Sequence, residues 1–496
     1  MSDLLAGAGV LVAAGAAAAA ILLPPGRLRA AALLAALALF PVLILGDQWD
    51  SRQIADLRAD TVRLISLFSL AVIGALLLAA IFDRWPFAMP LAIVAALPFR
   101  IPLESGGDTA NLLVPLYLVI AGAAIATAGK DWRGRSAGPF ATAGATRWLP
   151  RVLAAVVVLY ALQALYSPDF SKSLQNVCFF FVPFAMVYAL LRDVRWDREL
   201  LTWALGVVAV EALVFIAIGS VEWATRSLIW NDLVMRSNEF HTYFRVNSVF
   251  WDPNVYGRYL ALVAVLAMAA LLWTRDRRAF ALLTALIALL WIGLLPTFSQ
   301  SSFAALLGGL AVLAALRWSW RWTLAGVAAG AVAGVLVVVA AGGVSTISPN
   351  QINIDTSGRA NLVSGGLRLF ADRPVYGYGS GSFPKAYREQ IKSRKVPVSV
   401  SHTEPITVAA EQGAIGFAAY IALIVVALWT MARGLAWNAS ATGPAGRIAR
   451  VAVLAAFVAL LVHTMAYAGF YEDPITWVLL AVGASLAAAS VVRDAT

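Results

Sequence analysis

Long apolar segments alternate with short polar segments along the whole chain. An uncharged stretch of roughly 18 residues or more is stable in a bilayer, because a helix there satisfies its own backbone hydrogen bonds. We therefore predict a span for each apolar run that Pro, Gly or charged residues bound. The predicted spans are 4–23, 30–46, 64–82, 87–99, 111–129, 150–167, 176–191, 200–219, 255–273, 279–296, 302–316, 323–343, 406–430, 451–468 and 475–491. The pattern predicts an all-α, polytopic transmembrane helical bundle of about 14 or 15 spans. The short run 87–99 is either a span or a broken, re-entrant helix.

Composition agrees with this fold class. Of the 496 residues, 61% are hydrophobic and 13% are charged, about half the roughly 25% charge of a soluble domain. The 17 Trp and 13 Tyr suit the lipid–water boundary. The net charge of +10 comes from residues scattered over short loops, which favours membrane anchoring over nucleic-acid binding. The single cysteine, Cys178, lies in an apolar segment and is predicted to be a small buried side chain.

The basic residues predict the orientation of the bundle. Twenty of the 37 Lys and Arg residues fall in one alternating set of connections, and five fall in the short loops of the other set. The other twelve lie in two long segments, 220–258 and 344–403. Because Lys and Arg concentrate in short cytoplasmic loops, the first set is predicted to be cytoplasmic, together with the C-terminus. The two long segments are then outside.

This topology divides the chain into two parts. Residues 1–200 form N-terminal transmembrane helices, and residues 201–496 form a transmembrane core that includes outer loops 220–258 and 344–403. Most polar residues of chemical interest lie in those loops. We expect the second loop to form a short, partly helical outer cap.

Four sequence blocks occur in order between roughly residues 240 and 480. They are Phe250-Trp251-Asp252-Pro253-Asn254 after a loop that contains Arg245; Ser357-Gly358-Arg359, then Asp372-Arg373-Pro374 and the run Tyr376–Gly381; Ser401-His402, then Glu411-Gln412-Gly413-Ala414-Ile415-Gly416; and Tyr471-Glu472-Asp473-Pro474. In this order they resemble the O-antigen ligase/polymerase family of membrane glycosyltransferases. The family's signature is a His shortly before a span and Glu-x-Gly-x-x-Gly at the start of that span. The first 200 or so residues match only as generic spans.

The resemblance implies a fold similar to GT-C-type glycosyltransferases and a bacterial cytoplasmic-membrane location, with the active site on the outer face. It implies transfer of a glycan from a polyprenyl-diphosphate donor to a glycan, lipid or protein hydroxyl acceptor, with inversion and without a metal. No cofactor is expected, and no Asp-x-Asp motif occurs. The expected partners are the donor, the acceptor and the lipid bilayer.

Arginine suits a diphosphate, because its planar guanidinium forms bidentate, always-charged hydrogen bonds. The candidate diphosphate ligands are Arg236, Arg245, Arg359, Arg368, Arg373 and Gln300. Family members commonly carry Ser-Arg-Ser where this chain has Ser299-Gln300-Ser301, and Gln supplies hydrogen bonds without charge. Either this position does not bind the diphosphate here, or another Arg substitutes.

The predicted catalytic residues are His402, Glu411 and Arg245. His402 would activate or position the acceptor hydroxyl, and Glu411 would orient His402 or bind sugar. The candidate sugar or acceptor contacts are Asp252, Asn254, Tyr376 and Glu472.

Each assignment has a structural alternative. An outer Arg can contact solvent or lipid headgroups, and His402 can cap the following helix. Glu411 near a helix N-terminus is favoured by the macrodipole, and Asp252 can be an N-cap. Gly413 and Gly416 are expected to be close-packing sites between helices.

Glu211 and His463 both fall inside predicted spans. Glu211 lies mid-span, where an ionised carboxylate costs roughly 2.5 kcal/mol or more, so it should face a partner or a cavity. For His463, we expect structural pairing.

The rival function is a polytopic transporter or flippase for a lipid-linked saccharide, and a third possibility is an inactive scaffold. Transporters place ionisable sites near the midplane, whereas here polarity concentrates on one face. That distribution favours chemistry at the membrane surface.

Overall fold

The computed structural model describes residues 3–105, 108–136, 147–239, 242–340, 358–393, 398, 400–435 and 444–494. In the first half of the chain its helices are α1 Asp3–Leu22, α2 Arg27–Asp47, α3 Arg52–Ala59, α4 Thr61–Arg84, α5 Ala88–Ala96, α6 Val114–Trp132, α7 Trp148–Ala164, α8 Phe170–Asn176, α9 Val182–Leu191, α10 Arg198–Thr225 and α11 Asp232–Glu239. In the second half they are α12 Pro253–Trp273, α13 Arg277–Leu294, α14 Gln300–Arg317, α15 Trp320–Ala340, α16 Arg359–Asp372, α17 Phe383–Gln390, α18 Glu404–Ala432, α19 Pro444–Thr464 and α20 Pro474–Asp494. A π-helical turn, Val177–Phe181, joins α8 to α9, and a 3-10 turn, Leu295–Thr297, follows α13.

The described residues form the predicted all-α polytopic bundle. Eleven of their helices are long and apolar enough to cross a membrane, and Trp148–Ala164 and Pro474–Ala489 are shorter apolar helices. Small residues let the helices approach closely. A Cβ added to Gly122 of α6 would lie 2.5 Å from Leu78 Cβ of α4.

The segment predicted at 87–99 is broken. Helix α5 has only 9 residues. It is followed by an antiparallel hairpin of strands β1 Ile101–Ser105 and β2 Asp108–Leu112. The apolar pattern did not predict the hairpin, which interrupts the helical bundle between α5 and α6.

Glu211 and His463, which lie within spans, both have partners, as expected. The hydroxyl of Tyr259 on α12 donates to the Glu211 carboxylate at 2.7 Å. His463 Nε2 on α19 lies 3.1 Å from Ser301 Oγ on α14. These contacts join neighbouring helices within the bundle.

Helices α12, α14 and α19 pack against one another, and α18 packs against α7 and α16. Because successive spans run antiparallel, the N-termini of α12, α18 and α20 lie at one end of the bundle, with the C-termini of α10 and α19. We call this end the site end. The predicted outer cap over 344–403 is helical in part, as α16 and α17; residues 344–357, 394–397 and 399 of it fall outside the described residues.

Candidate active site

Arg245 is held by α12 and by the turn after α13. Its Nε donates to the carbonyl of Thr297 at 2.9 Å, and its Nη2 donates to Asn254 Oδ1 at 3.2 Å. Asn238 of α11 bonds both the N–H and the carbonyl of Arg245, each at 3.0 Å. Burial lowers the pKa of Arg245, and the nearby positive charge of Arg359 adds to that effect. The guanidinium stays protonated nevertheless, with N–H groups left over for a ligand.

Asp252 both caps α12 and faces this cluster. Its Oδ1 accepts the backbone N–H of Asn254 at 2.6 Å, so the structural alternative for this residue holds. Its carboxylate also accepts a hydrogen bond from the Tyr467 hydroxyl and interacts electrostatically with Arg245 and His402. Asp252 therefore supplies a negative charge beside the cations as well as the cap.

His402 sits in a tight turn immediately before α18. Its φ of 63° lies in the left-handed region, which is uncommon for residues other than glycine. The turn is held by Ser401, whose hydroxyl lies 2.8 Å from Thr407 Oγ1 and donates to the carbonyl of Thr403 at 2.8 Å. The half-buried ring of His402 meets the ring of Tyr467 at a centroid distance of 6.4 Å. The conformation turns the ring inward rather than into bulk solvent.

Burial lowers the pKa of His402, and the charge of Arg359 lowers it further, against the opposing effect of Asp252. The imidazole is therefore neutral at pH 7, the form that accepts a proton.

Arg359 is the residue that links these groups. It begins α16 directly after Gly358, which has a φ of 84°. Its charge acts on both Arg245 and His402. We call Arg245, Asp252, Arg359, His402 and Tyr467 the cationic cluster. It brings together four residues that the sequence predicted, from the two predicted outer loops 220–258 and 344–403.

A buried polar layer lies within the helices next to the cationic cluster. Arg258 of α12 pairs with Asp473 at 2.6 Å, and the side chains of both are 3% exposed. Asp473 also accepts the N–H of Ile475 at the start of α20. The pair ties the N-terminal turn of α20 to α12, just as Asn254 ties α12 to Arg245.

Glu411 lies where α18 is broken. Gly413 has non-helical angles, φ 63° and ψ −165°, within that helix. The run Tyr376–Gly381 crosses this break: Gly379 N–H donates to the Glu411 carbonyl at 2.7 Å, and Ala414 N–H donates to the Pro374 carbonyl at 2.7 Å. The Glu411 carboxylate accepts the N–H groups of Gly381 and Phe383, at 2.8 and 3.0 Å. Glu411 therefore fastens the loop to the helix, and its predicted catalytic role stays a prediction.

The break also corrects the expectation for Gly413. A Cβ at this position would lie 2.5 Å from the backbone carbon of Val375, which belongs to the loop and not to another helix. At Gly416, a Cβ would meet the side chain of Gln412 on the same helix, at 2.1 Å. The glycines of this motif thus admit a loop backbone into a break in the helix.

A cavity of about 50 Å³ lies between α18, α8 and the segment before α20. Glu404, Glu411 and Glu472 line it, together with Asn176 and Lys172. Glu472, a predicted sugar contact, therefore lines this partly open cavity. We call this space the acidic cavity.

Other predicted residues lie apart from the cationic cluster in the contacts that the structure records. Arg236, Arg368, Arg373, Tyr376 and Gln300 are exposed. Arg373 stacks on the ring of Tyr378, 4.3 Å from its centroid, and Tyr376 meets the ring of Tyr166 at 6.0 Å. Their ligand roles stay predictions.

Sequence reasoning missed several residues here. Tyr467 lies in the cationic cluster, Arg258 and Asp473 form the buried pair, and Asn176 and Lys172 come from the N-terminal helices. Tyr467 carried only a weak signal, its place four residues before Tyr471-Glu472-Asp473-Pro474. Asn176 carried no sequence signal except that it is an amide at the edge of an apolar run.

Comparison with known proteins agrees with the motif blocks. The O-antigen ligase family model matches residues 285–421, which include Arg359, His402 and Glu411. No curated protein matches the chain. Among the described residues, no group of three or more His, Cys, Asp and Glu side chains could hold a metal ion. The match over residues 285–421, flanked on both sides by the remaining motif blocks, makes this part of the chain similar to the O-antigen ligase family and supports the resemblance found in the sequence.

Proposed function

We propose that this protein transfers a glycan from a polyprenyl-diphosphate donor to a hydroxyl acceptor at the outer face of the cytoplasmic membrane. The observation that supports this most is the meeting of Arg245, Arg359 and His402 at the site end of the bundle. A diphosphate needs fixed cations, and a hydroxyl acceptor needs a base. Both are present at the ends of membrane-spanning helices, where a lipid-linked headgroup emerges.

The two arginines suit the leaving group. The charge of Arg359 acts on Arg245, and the carboxylate of Asp252 opposes that effect. An anion with two phosphates would relieve this repulsion and accept several charge-assisted hydrogen bonds. Because negative charge grows on the diphosphate as the glycosidic bond breaks, prepositioned guanidinium groups stabilise the transition state more than the ground state.

His402 then acts on the acceptor. The acceptor oxygen attacks the anomeric carbon from the face opposite the diphosphate, and its proton passes to the neutral imidazole. The bond from the anomeric carbon to the diphosphate oxygen breaks, and the polyprenyl diphosphate leaves with the electron pair. Inversion and the absence of a metal are carried over from the family resemblance, and this chain's residues supply the base and the cations that such a reaction uses.

The side of the membrane follows from the basic residues. Short connections at the end opposite the site end carry most of the Lys and Arg, including Arg133, Arg195 and Arg275. By the positive-inside rule, this distribution supports a cytoplasmic location for that end and an outer location for the site end. A polyprenyl-linked glycan would meet the cationic cluster in the outer leaflet.

Reconstitution tests the proposal against its rival. The full chain is placed in proteoliposomes with a polyprenyl-diphosphate-linked glycan and a hydroxyl-bearing glycan acceptor. Glycosyltransferase activity predicts a coupled product and released polyprenyl diphosphate, both lost in His402→Ala and retained in Arg275→Ala, which removes an exposed arginine at the opposite end. Movement of the lipid-linked glycan across the bilayer without product would show a transporter instead, and neither event would show a scaffold.

A further inference from the structure

The acidic cavity has a chemistry opposite to that of the cationic cluster. Its three carboxylates, Glu404, Glu411 and Glu472, lie within electrostatic range of one another. Lys172 is the one basic residue among its lining residues. A phosphate offers only hydrogen-bond acceptors, so it matches this lining less well than a ligand that carries donors.

The cavity offers hydrogen-bond acceptors in excess of donors. Glu404 Oε2 accepts the N–H groups of Gly469 and Phe470, at 2.7 and 3.1 Å, which leaves Oε1. No hydrogen bond or ion pair to the Glu472 carboxylate occurs within the described ranges of the chain. A ligand that fits these groups must bring donors.

The side chain of Asn176 gives independent support for a ligand that donates hydrogen bonds. Asn176 lines the cavity and is 4% exposed. Its Nδ2 donates to the Tyr160 hydroxyl at 2.8 Å, whereas its Oδ1 has no hydrogen-bond partner. A buried amide oxygen without a partner is energetically unfavourable, so its position beside a cavity indicates an incoming donor.

Aromatic rings complete the lining. Phe181 stacks on Tyr160 with centroids 3.9 Å apart, and Tyr471 meets Phe181 at 5.3 Å. Carboxylates, an amide and ring faces together suit a polyol, whose hydroxyl groups donate and whose C–H faces are apolar. The volume of about 50 Å³ exceeds the roughly 10–15 Å³ that one water needs. It therefore has room for more than a single water and suits the hydroxyl-bearing part of a sugar.

We infer that the acidic cavity is the subsite for the acceptor glycan, holding the hydroxyl edge of a neutral or amino sugar while the cationic cluster holds the donor diphosphate. This inference rests on the proposed function and adds a division of the two substrates by charge. The segment 467–472 joins the two sites: Tyr467 contacts His402, and Ala468, Gly469, Tyr471 and Glu472 line the cavity. In this proposal, a hydroxyl of the seated sugar extends toward His402.

Binding to the full chain in nanodiscs tests this without turnover. The probes are the methyl glycosides of glucose, galactose, rhamnose and N-acetylglucosamine, followed by saturation-transfer NMR, and inorganic pyrophosphate, followed by phosphorus NMR. At least one glycoside should bind, about tenfold more weakly in Glu472→Gln, since a hydrogen bond to a charged group is lost. Ala468→Leu, which fills the cavity, should abolish glycoside binding. Glu389→Gln makes the same chemical change on the exposed face of α17 and should bind as the parent does.

Pyrophosphate binding distinguishes a failure of the proposed function from a failure of the acceptor subsite. It should survive Glu472→Gln and be lost in Arg359→Ala, which should still bind the glycoside. Failure of pyrophosphate to bind the parent protein would overturn the cationic site, and with it the proposed function. Absence of any glycoside signal, or equal glycoside binding by the parent, Glu472→Gln and Ala468→Leu, would overturn the acceptor subsite. Thermal midpoints of all variants show whether a loss reflects unfolding, and Glu472→Gln keeps the side-chain shape.

Discussion

His402 is the residue on which sequence and structure agree most closely. The motif placed it just before a span, and the structure holds it there in a left-handed turn beside Tyr467. A non-glycine residue in this conformation costs on the order of 1–3 kcal/mol and persists only where its surroundings enforce it. The Ser401–Thr407 contact at 2.8 Å enforces it here. The strain thus accompanies an imidazole that is aimed at a cluster of cations.

The fall of kcat/KM at acid pH depends on the ionisation of His402 and therefore on its neighbours. Burial and Arg359 both lower the pKa of His402 below its ordinary value of 6.5. The neutral, proton-accepting form is therefore complete above that lowered pKa and is lost as pH falls through it. Arg359→Ala removes one of the two causes, so the midpoint of the acid limb of kcat/KM should move to higher pH. An unchanged or lower midpoint contradicts the electrostatic coupling, and Arg275→Ala serves as the control.

Arg245 should not tolerate lysine. Its guanidinium bonds the Thr297 carbonyl and Asn254 Oδ1 while other N–H groups stay available. A lysine ammonium is a single point of charge and cannot reproduce that fork. We expect Arg245→Lys to lower kcat by roughly 10²–10³, the usual loss when one transition-state donor is removed. Steady-state kinetics on reconstituted protein measure the change in kcat. Wild-type turnover by the lysine variant would show that Arg245 does not stabilise the transition state.

The cationic residues were predictable from sequence because their chemistry appears in their identity and order. Arg245, Arg359 and His402 are charged or titratable groups in motif blocks. Tyr467 and Asn176 were not predictable, since their importance comes from where α19 and α8 end relative to those blocks. A single sequence does not give the distance between a helix end and a motif block in the folded chain.

At the scale of elements, the break in α18 shows what hydropathy cannot reveal. The run 406–430 was correctly predicted as a span, but nothing in its apolar pattern indicated that the helix opens at Gly413. Only the glycines hinted at it, and they were interpreted as helix-packing positions. The hairpin of β1 and β2 was missed for a related reason: apolar runs locate spans and say little about short strands between them.

The break predicts a sharp glycine requirement. In Gly413→Ala the new Cβ would lie 2.5 Å from the Val375 backbone, and φ of 63° disfavours alanine. We expect the free energy of unfolding to fall by about 2 kcal/mol or more, with activity lost as the Tyr376–Gly381 run separates from α18. Thermal unfolding in detergent, alongside a transfer assay, measures both.

The matched control is Gly206→Ala on α10, where an added Cβ meets nothing within 4 Å. This helical glycine should accept alanine with unchanged or slightly higher stability. Equal thermal midpoints for Gly413→Ala and the parent protein would show that the loop does not depend on the break.

At the scale of the whole molecule, residues 1–200 and residues 201–496 pack together more closely than the predicted boundary at residue 200 implies. The buried hydrophobic core runs continuously from Ala6 to Leu486. Helix α7 packs against α18, and the Gln163 side chain donates to the Gln412 carbonyl at 3.1 Å. The first 200 residues, which sequence reasoning described only as generic spans, thereby supply Asn176 and Lys172 to the acidic cavity. Their function emerges from tertiary packing and was invisible in the motif blocks.

Orientation is the property of the whole molecule on which the proposed function depends. Cys178 is the single cysteine and is buried. In a Cys178→Ala background, one introduced cysteine is therefore the single thiol available for labelling. Glu389 on α17 is exposed at the site end, and Arg275 is exposed at the opposite end. If basic loops stay in the cytoplasm, a membrane-impermeant maleimide added to intact cells should label Glu389→Cys and spare Arg275→Cys until the membrane is opened. The reverse pattern would put the cationic cluster in the cytoplasm, where an outer-leaflet donor could not reach it.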